Sequence, residues 1–234
     1  MIELFKGLLR TLCPQRCAYC GRVVSVNTYA CEDCEKVLPR ISGEICVSCG
    51  REKAECSCNG EKYYGSVVAP LYYEGVVRKG IHQFKFRNWY QHSAAYGIEM
   101  ANAVSERFPD KHFDFVIPIP MTKKSLNKRG YNQVEILADV LSQKLGIECR
   151  KDILTKIYET DKQHTISHLL RKGNLTGVFD VSNPEFVKGK KILLCDDIST
   201  SGETFNECAK MLWLFDAEEV CCVCFALTKP RKRK

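Results

Sequence analysis

Apolar positions follow two different periods between residues 63 and 227. Short, nearly continuous apolar runs predict strands, and these cover 66–73, 113–117, 146–150, 179–181, 192–195 and 219–227. Longer segments carry an apolar residue every three or four positions and predict helices with one buried face, over 75–86, 90–108, 134–145 and 205–215. This alternation indicates an α/β fold, with a mostly parallel sheet flanked by helices and a ligand site at the carboxyl ends of the strands.

Acids and hydroxyls follow the run 192–195. Asp196 and Asp197 stand where the predicted strand would leave its sheet, and the turn Thr-Ser-Gly-Glu-Thr over 200–204 precedes the predicted helix. A helix N-terminus offers unpaired backbone N–H groups and a partial positive charge to an anion, and Gly202 lets the backbone approach it. Because carboxylates repel a phosphate, the two acids should face sugar hydroxyls or a divalent cation. The pattern therefore predicts a phosphate-binding turn.

Two other interpretations explain less of this stretch. An ordinary buried strand with a helix-capping loop needs one hydroxyl or acid, not the whole series. A nucleotide hydrolase with a Walker B strand needs a G-x-x-x-x-G-K-[ST] loop elsewhere in the chain. The nearest approach to that motif, Gly75 to Gly80, is followed by Ile81.

Nine of the 15 cysteines lie between Cys13 and Cys58, mostly in pairs. Two Cys-x-x-Cys pairs can wrap a tetrahedral zinc ion with four thiolates, and the first such set is Cys17, Cys20, Cys31 and Cys34. The second set ends in a pair with one intervening residue, which is a weaker geometry, and consists of Cys46, Cys49, Cys56 and Cys58. We expect one or two closed, structural zinc sites, and interleaved pairing of the two sets stays open. The later six cysteines have apolar neighbours and are predicted to be core residues.

Four cations occur in the segment 121–130, which follows the strand 113–117 and two nearby prolines. They are Lys123, Lys124, Lys128 and Arg129. We predict a loop here, because proline cannot donate a ladder hydrogen bond. Alone, this would be an ordinary solvated loop, but beside a phosphate-binding turn its charges are placed to neutralise a polyanion. The polar stretch 156–174, which includes Gln163 and Arg171, is interpreted as a mobile flap.

Length and charge narrow the class of protein. A chain of 234 residues suits one substantial domain with a small appendage, and it has no 18-residue apolar run for membrane insertion. Of the +7 net charge, five basic residues lie in the last six, so 30 basic and 28 acidic residues remain elsewhere. This balance argues against a generally basic nucleic-acid-binding protein, and the tail is interpreted as a solvated terminus. Paired cysteines without a secretory h-region indicate the cytoplasm.

The stretch from Leu193 to Thr204 resembles the phosphoribosyl-pyrophosphate (PRPP) signature of the type I phosphoribosyltransferases, an apolar strand, two acids and a Thr-Thr-Gly-x-Thr-like loop. Ser201 replaces the more usual threonine and keeps the hydroxyl. The resemblance implies that Asp196 and Asp197 hold the ribose hydroxyls and that 200–204 bind the 5′-phosphate. The substrate-binding segment then consists of Ile198, Ser199, Thr200, Ser201, Gly202, Glu203 and Thr204.

The whole order of motifs resembles the ComF competence proteins, in which a cysteine-paired zinc module joins a phosphoribosyltransferase-like domain. The motifs are the cysteine pairs, Phe84-Lys85-Phe86, Pro118–Gln133, the flap with Gln163, Ser167, Arg171 and Asn174, then Gly177, Phe179 and the signature. Tyr131 stands where this family usually has phenylalanine. The resemblance implies a cytoplasmic role in natural transformation, in handling incoming single-stranded DNA beside a helicase-like partner.

These inferences divide the chain into three parts, namely an N-terminal helix with the zinc module over 1–62, a transferase-like domain over 63–228 and the basic tail 229–234. They leave two hypotheses for function. One is Mg²⁺-dependent transfer of a phosphoribosyl group from PRPP to an unidentified acceptor, with Lys123, Lys124 and Arg129 on the pyrophosphate and the flap closing over the site. The other is a non-catalytic scaffold of the same fold that contacts single-stranded DNA or a helicase partner through its zinc module and tail.

Overall fold

The computed structural model describes residues 14–58, 60–86, 90–157 and 178–230. Three predictions lie outside these ranges. They are the N-terminal helix, the flap residues between 158 and 177 and most of the basic tail. No helix within the described ranges has the length and apolar character that a membrane span needs.

The described residues contain eight strands, and six of these form one parallel sheet. The strands are β1 Ser66–Val68, β2 Leu71–Tyr72, β3 Phe115–Pro118, β4 Glu148–Cys149, β5 Leu154–Lys156, β6 Phe179–Val181, β7 Lys191–Ser199 and β8 Glu219–Leu227. The sheet has the order β1-β8-β7-β3-β4, with β2 also paired to β8. Every pairing in it is parallel, which confirms the predicted sheet. Strands β5 and β6 form a separate antiparallel pair.

Six α-helices connect and cover the strands within the described residues. They are α1 Glu32–Glu35, α2 Gly75–Phe86, α3 His92–Arg107, α4 Lys123–Arg129, α5 Gln133–Leu145 and α6 Glu203–Leu214. The prediction of a loop over 121–130 is wrong, because seven of its residues form α4. Thr122 caps the start of this helix by accepting a hydrogen bond from the Ser125 N–H at 3.0 Å, and Gly130 ends it in the left-handed conformation, with φ of 79°.

Strand β7 is longer than its apolar run predicts. Asp196 was expected just beyond the strand, but it pairs with Cys224 of β8, and the ladder continues to Ser199 opposite Leu227. The continuation follows from β8, which is apolar and buried over its last eight residues and offers a partner along its whole length. Both acids therefore lie within the last residues of a strand rather than in a free loop.

The sheet carries apolar cores on both faces. Leu193 and Cys195 of β7 pack with residues of α2, α3 and α5, whereas Ile192 and Leu194 pack with α6 and the β5–β6 pair. Alternate residues of a strand point to opposite faces, so a central strand covered on both sides is apolar throughout. Five of the later cysteines are buried, as predicted, and Cys149 is partly buried.

The cysteine-rich module packs directly against the transferase-like domain. The hydroxyl of buried Tyr96 in α3 donates a 2.6 Å hydrogen bond to the carbonyl of Ala18. Backbone hydrogen bonds also join the two parts, from Ile41 N–H to the Pro70 carbonyl and from Tyr72 N–H to the Pro39 carbonyl. The predicted parts on either side of residue 63 therefore share a common interface.

The substitution Tyr96→Phe tests this interface. Without the hydroxyl, the Ala18 carbonyl loses its donor in buried surroundings, so we expect the free energy of unfolding to fall by about 1–3 kcal/mol. Urea titration followed by circular dichroism measures the change. Tyr29→Phe, at a tyrosine with an exposed side chain, serves as the control. Equal losses in the two variants would contradict a specific contribution from the Tyr96 hydroxyl.

Candidate functional site

The predicted phosphate-binding turn lies between β7 and α6. Thr200 and Ser201 are exposed, Gly202 precedes the helix, and Glu203 and Thr204 form its exposed first turn. The Ser201 hydroxyl accepts a hydrogen bond from the Glu203 N–H at 3.4 Å. The helix starts two residues earlier than its apolar period predicts. Backbone N–H groups and hydroxyls are thus accessible where the helix dipole is positive.

Gly202 is required at its position for two independent reasons. Its backbone is left-handed, with φ of 82°, and an added Cβ would lie 2.8 Å from the hydroxyl of Tyr64. Tyr64 also packs edge-on against Phe205 of α6, with ring centroids 6.4 Å apart. This tyrosine therefore shapes the turn, although sequence analysis assigned it no role.

The acid pair stands beside the turn in two different environments. Asp197 is buried and forms an ion pair of 2.6 Å with Lys85 of α2. Asp196 accepts a hydrogen bond from the Asp197 N–H at 2.7 Å. Burial and the charge of Asp197 raise the pKa of Asp196 to about 7, although the charges of Lys85 and Lys156 oppose this shift. The sequence places Lys85 in the Phe84-Lys85-Phe86 motif but does not predict its contact with Asp197, because the two residues are far apart in the chain.

The predicted cations lie at the same edge of the sheet. Helix α4 follows the carboxyl end of β3, which pairs with β7 up to Pro118 opposite Cys195. Lys123 and Lys124 are exposed. Arg129 donates a 2.9 Å hydrogen bond to Gln133 and lies 5.4 Å from the ring centroid of Phe86. Its guanidinium is therefore held between α5 and the end of α2.

Other predicted site residues have different surroundings. Ile198 is partly buried, and Ser199 is buried with its carbonyl accepting a 3.1 Å hydrogen bond from the Thr228 N–H. Gln163 and Arg171 belong to the connection from β5 to β6 and lie outside the described residues. Taken together, the accessible N–H groups, hydroxyls, acids and cations suit a ligand that carries both phosphate and sugar hydroxyls.

The eight paired cysteines form two separate clusters. Cys17, Cys20, Cys31 and Cys34 make one cluster, and Cys46, Cys49, Cys56 and Cys58 make the other, with all sulfurs of a cluster within 4.8 Å of one another. The sulfurs of Cys20 and Cys31 are 3.7 Å apart, and those of Cys49 and Cys56 are 3.8 Å apart. Zinc–sulfur bonds of about 2.3 Å in a tetrahedron require sulfurs about 3.8 Å apart. Both clusters therefore fit structural zinc, and the pairing is not interleaved.

Backbone N–H groups in the first cluster favour a thiolate at Cys17. The Cys31 N–H donates a 3.3 Å hydrogen bond to the sulfur of Cys17. Burial alone would raise the pKa of Cys17, but N–H groups of Cys20, Cys31 and Tyr19 outweigh it and lower the pKa to about 7. Zinc binds the deprotonated sulfur, so these donors favour the metal-bound form.

Two domain families match the sequence. The Double zinc ribbon domain matches residues 8–65, and the Phosphoribosyl transferase domain matches residues 126–234. With the parallel sheet and the two cysteine clusters, these matches define a protein of the type I phosphoribosyltransferase fold that carries an N-terminal double zinc ribbon. The fold class predicted from sequence is thereby confirmed.

Named competence proteins are similar to this chain over most of its length. Competence protein ComFC of Bacillus subtilis (strain 168) is 27% identical over 196 residues, which cover 78% of this chain and 77% of the relative. Competence protein F of Haemophilus influenzae is 29% identical over 223 residues, with coverage of 88% and 93%. The solved purine phosphoribosyltransferase from Pyrococcus horikoshii Ot3 is 18% identical, with a TM-score of 0.37 and coverage of 59% of this chain and 74% of its own. The chain is a homologue of the ComF competence proteins, as its motifs predict.

Metal analysis tests the two clusters. Purified protein should contain two zinc ions per chain, because each cluster supplies four thiolates. Cys56→Ser should reduce the content to about one ion, and Cys149→Ser, outside both clusters, should leave it at two. A content of one zinc in the unaltered protein would show that the second cluster is not a metal site.

Proposed function

We propose that this chain binds PRPP with Mg²⁺ at the carboxyl edge of its sheet and transfers the phosphoribosyl group to an acceptor. The observation that carries this proposal is the placement of the Gly202 turn, at the start of α6, directly after an acid pair in β7. The competence role of the relatives fits a cytoplasmic protein but does not name a substrate.

The reaction assigns a role to each group. The bond between the anomeric carbon and the pyrophosphate oxygen breaks, pyrophosphate leaves with the electron pair, and the acceptor atom bonds to that carbon and loses a proton. Residues 200–204 would hold the 5′-phosphate, and Asp196 and Asp197 would hold the ribose hydroxyls. Lys123, Lys124 and Arg129 would stabilise the charge that develops on pyrophosphate. Gln163 and Arg171 would close over the site and exclude water.

The oxygen donors at this edge fit Mg²⁺. This ion prefers oxygen ligands and is commonly held by one or two carboxylates together with substrate phosphates. Of the two acids in β7, Asp196 is the one without an ion pair among the described residues, because Asp197 pairs with Lys85. When bound, Mg²⁺ would supply positive charge to the pyrophosphate. The chain's own residues would orient the ribose beside it.

The ion pair between Lys85 and Asp197 also favours a second candidate function. A ligand hydroxyl must share the Asp197 carboxylate with Lys85, and a site that has lost turnover would tolerate such a pair. In that case the fold would act as a scaffold, and the zinc ribbons and basic tail would contact single-stranded DNA or a helicase-like partner. This candidate is consistent with the names of the competence relatives.

Calorimetry with PRPP and Mg²⁺ separates the two functions. The unaltered protein should bind PRPP, and the double variant Asp196→Asn with Asp197→Asn should bind at least about tenfold more weakly, because charged hydrogen bonds to the ribose are lost. Asp139→Asn with Asp152→Asn, two acids in exposed ion pairs, is the matched control. Melting curves check that freeing Lys85 has not unfolded the variant. No binding by the unaltered protein would exclude the transferase.

The raised pKa of Asp196 predicts a pH dependence of binding. Since its pKa is about 7, a ligand that needs the carboxylate should bind more weakly as the pH falls from about 8 to about 6, approaching tenfold per unit. The stability of the protein without ligand changes in the opposite direction. Because the pKa of Asp196 is raised in the folded state, the folded state binds this proton more tightly than the unfolded state. Asp196 therefore contributes more to the free energy of unfolding as the pH falls through about 7. Calorimetry at several pH values should show a weaker dependence in Asp196→Asn. Equal slopes in both proteins would exclude Asp196 as the titrating group.

A further inference from the structure

The two zinc ribbons contain the same six-residue turn. Its sequence is Cys-x-x-Cys-Gly-Arg, from Cys17 to Arg22 in the first ribbon and from Cys46 to Arg51 in the second. The backbone matches as well. The Cys17 N–H donates to the Arg22 carbonyl at 2.8 Å, and the Cys46 N–H donates to the Arg51 carbonyl at 2.8 Å. The two arginines therefore hold equivalent positions.

Their side chains nevertheless have different partners. Arg22 is exposed and pairs with Asp33 of its own ribbon at 2.5 Å. Arg51 is 7% exposed, and its side chain contacts residues outside the ribbon. Its Nε donates to the Thr228 carbonyl at 2.8 Å, and its Nη2 donates to the Thr200 carbonyl. Because the first ribbon forms without such contacts, zinc binding does not explain the placement of Arg51.

The two carbonyls that Arg51 contacts lie at the site edge. Thr228 follows the last residue of β8, and Thr200 is the first residue of the phosphate-binding turn after β7. One guanidinium thus joins the ends of two neighbouring strands. The ribbon is itself fixed there, since the Val67 N–H of β1 donates to the Val47 carbonyl at 3.1 Å. A Cβ on Gly50 would also lie 2.7 Å from the Val67 carbonyl oxygen.

Arg51 is buried beside neutral hydrogen-bond partners. Within the described parts of the chain it forms no ion pair, and both of its partners are neutral carbonyls. Buried guanidinium groups are ordinarily paired with an acid, because desolvating an unpaired charge is costly. A phosphate bound at 200–204 would place negative charge next to the guanidinium that holds the start of this turn.

We propose that Arg51 is a positioning residue for the phosphate-binding turn, so that anion binding in the transferase domain depends on the metal-held fold of the second ribbon. The inference rests on the proposed function for the identity of the anion. The contact between Arg51 and the turn can be tested without any ligand. The first ribbon, whose arginine pairs within its own module, should have no such effect.

Amide hydrogen exchange on the full chain tests the positioning directly. Arg51→Met keeps an apolar stem and removes both hydrogen bonds. The amides of Asn206 and Thr228, which donate to the Gly202 and Ser199 carbonyls of this segment, should therefore exchange at least about tenfold faster in peptides that span 199–205 and these flanking residues, while peptides from α3 and α5 stay unchanged. Arg22→Met is the matched control and should leave 199–205 unaffected. Arg51→Lys keeps the charge but cannot span both carbonyls, and it should give an intermediate rate. Unchanged exchange in Arg51→Met and in Arg51→Lys would overturn the proposal.

Ligand binding gives a second readout. With PRPP and Mg²⁺, Arg51→Met should raise Kd about tenfold to a hundredfold, with partial rescue in Arg51→Lys, which a loss of packing alone would not show. If the unaltered protein binds no PRPP, the proposed function fails, and the exchange result still decides whether Arg51 orders the turn. If PRPP binds equally to all these variants, Arg51 does not assist anion binding and the proposal is overturned.

The dependence on metal is tested at one exposed ligand of each ribbon. Cys58→Ser in the second ribbon should lower the zinc content and speed exchange over 199–205, as Arg51→Met does. Cys20→Ser in the first ribbon should lower the zinc content equally and leave 199–205 protected. Equal effects of the two substitutions on this segment would overturn the assignment to the second ribbon.

Discussion

Parallel pairing of β7 with β3 on one side and with β8 on the other determines where the functional groups of the transferase domain lie. Parallel strands end at the same edge, so the connections that follow them meet there. After β3 comes α4 with its cations, after β7 the Gly202 turn, and after β8 the carbonyl of Thr228. An antiparallel β7 would send its acids to the opposite edge, away from all of these groups.

The second zinc ribbon contacts the same edge through Arg51. Its backbone is held by metal–thiolate bonds rather than by strand pairing. The ribbon segment has few apolar residues, so metal–thiolate bonds replace much of the core that a domain of this size would need. Part of its apolar surface packs against the sheet domain, since Ala18 and Tyr19 belong to the same buried core as Tyr96. A rigid metal-held turn can place one long side chain precisely, and Arg51 is the side chain that uses this geometry.

Local patterns predicted most of the fold and the composition of the site, but not its long-range contacts. Most strands and helices and both cysteine sets follow from periodicity and spacing, but β5 was not predicted, and the strand predicted over 66–73 is divided into β1 and β2. The end of β7 could not be predicted in this way, because its ladder continues only where β8 offers a partner. Helix α4 carries cap signals at Thr122 and Gly130 that the run of cations obscured. The contacts of Lys85 with Asp197 and of Arg51 with Thr200 depend on packing, although the repeated Cys-Gly-Arg turn was visible in the sequence.

The site is electrostatically unbalanced before any ligand binds. Two adjacent carboxylates repel each other, and the single nearby ion pair, from Lys85, goes to Asp197. Asp196 is partly buried and has a raised pKa, and buried Arg51 donates to two neutral carbonyls. Different groups of a sugar phosphate would stabilise these two side chains. Its hydroxyls would donate to the carboxylate of Asp196, and its phosphate would interact with the guanidinium of Arg51. The charges at this edge thus match the chemistry of a ligand that carries both hydroxyls and a phosphate.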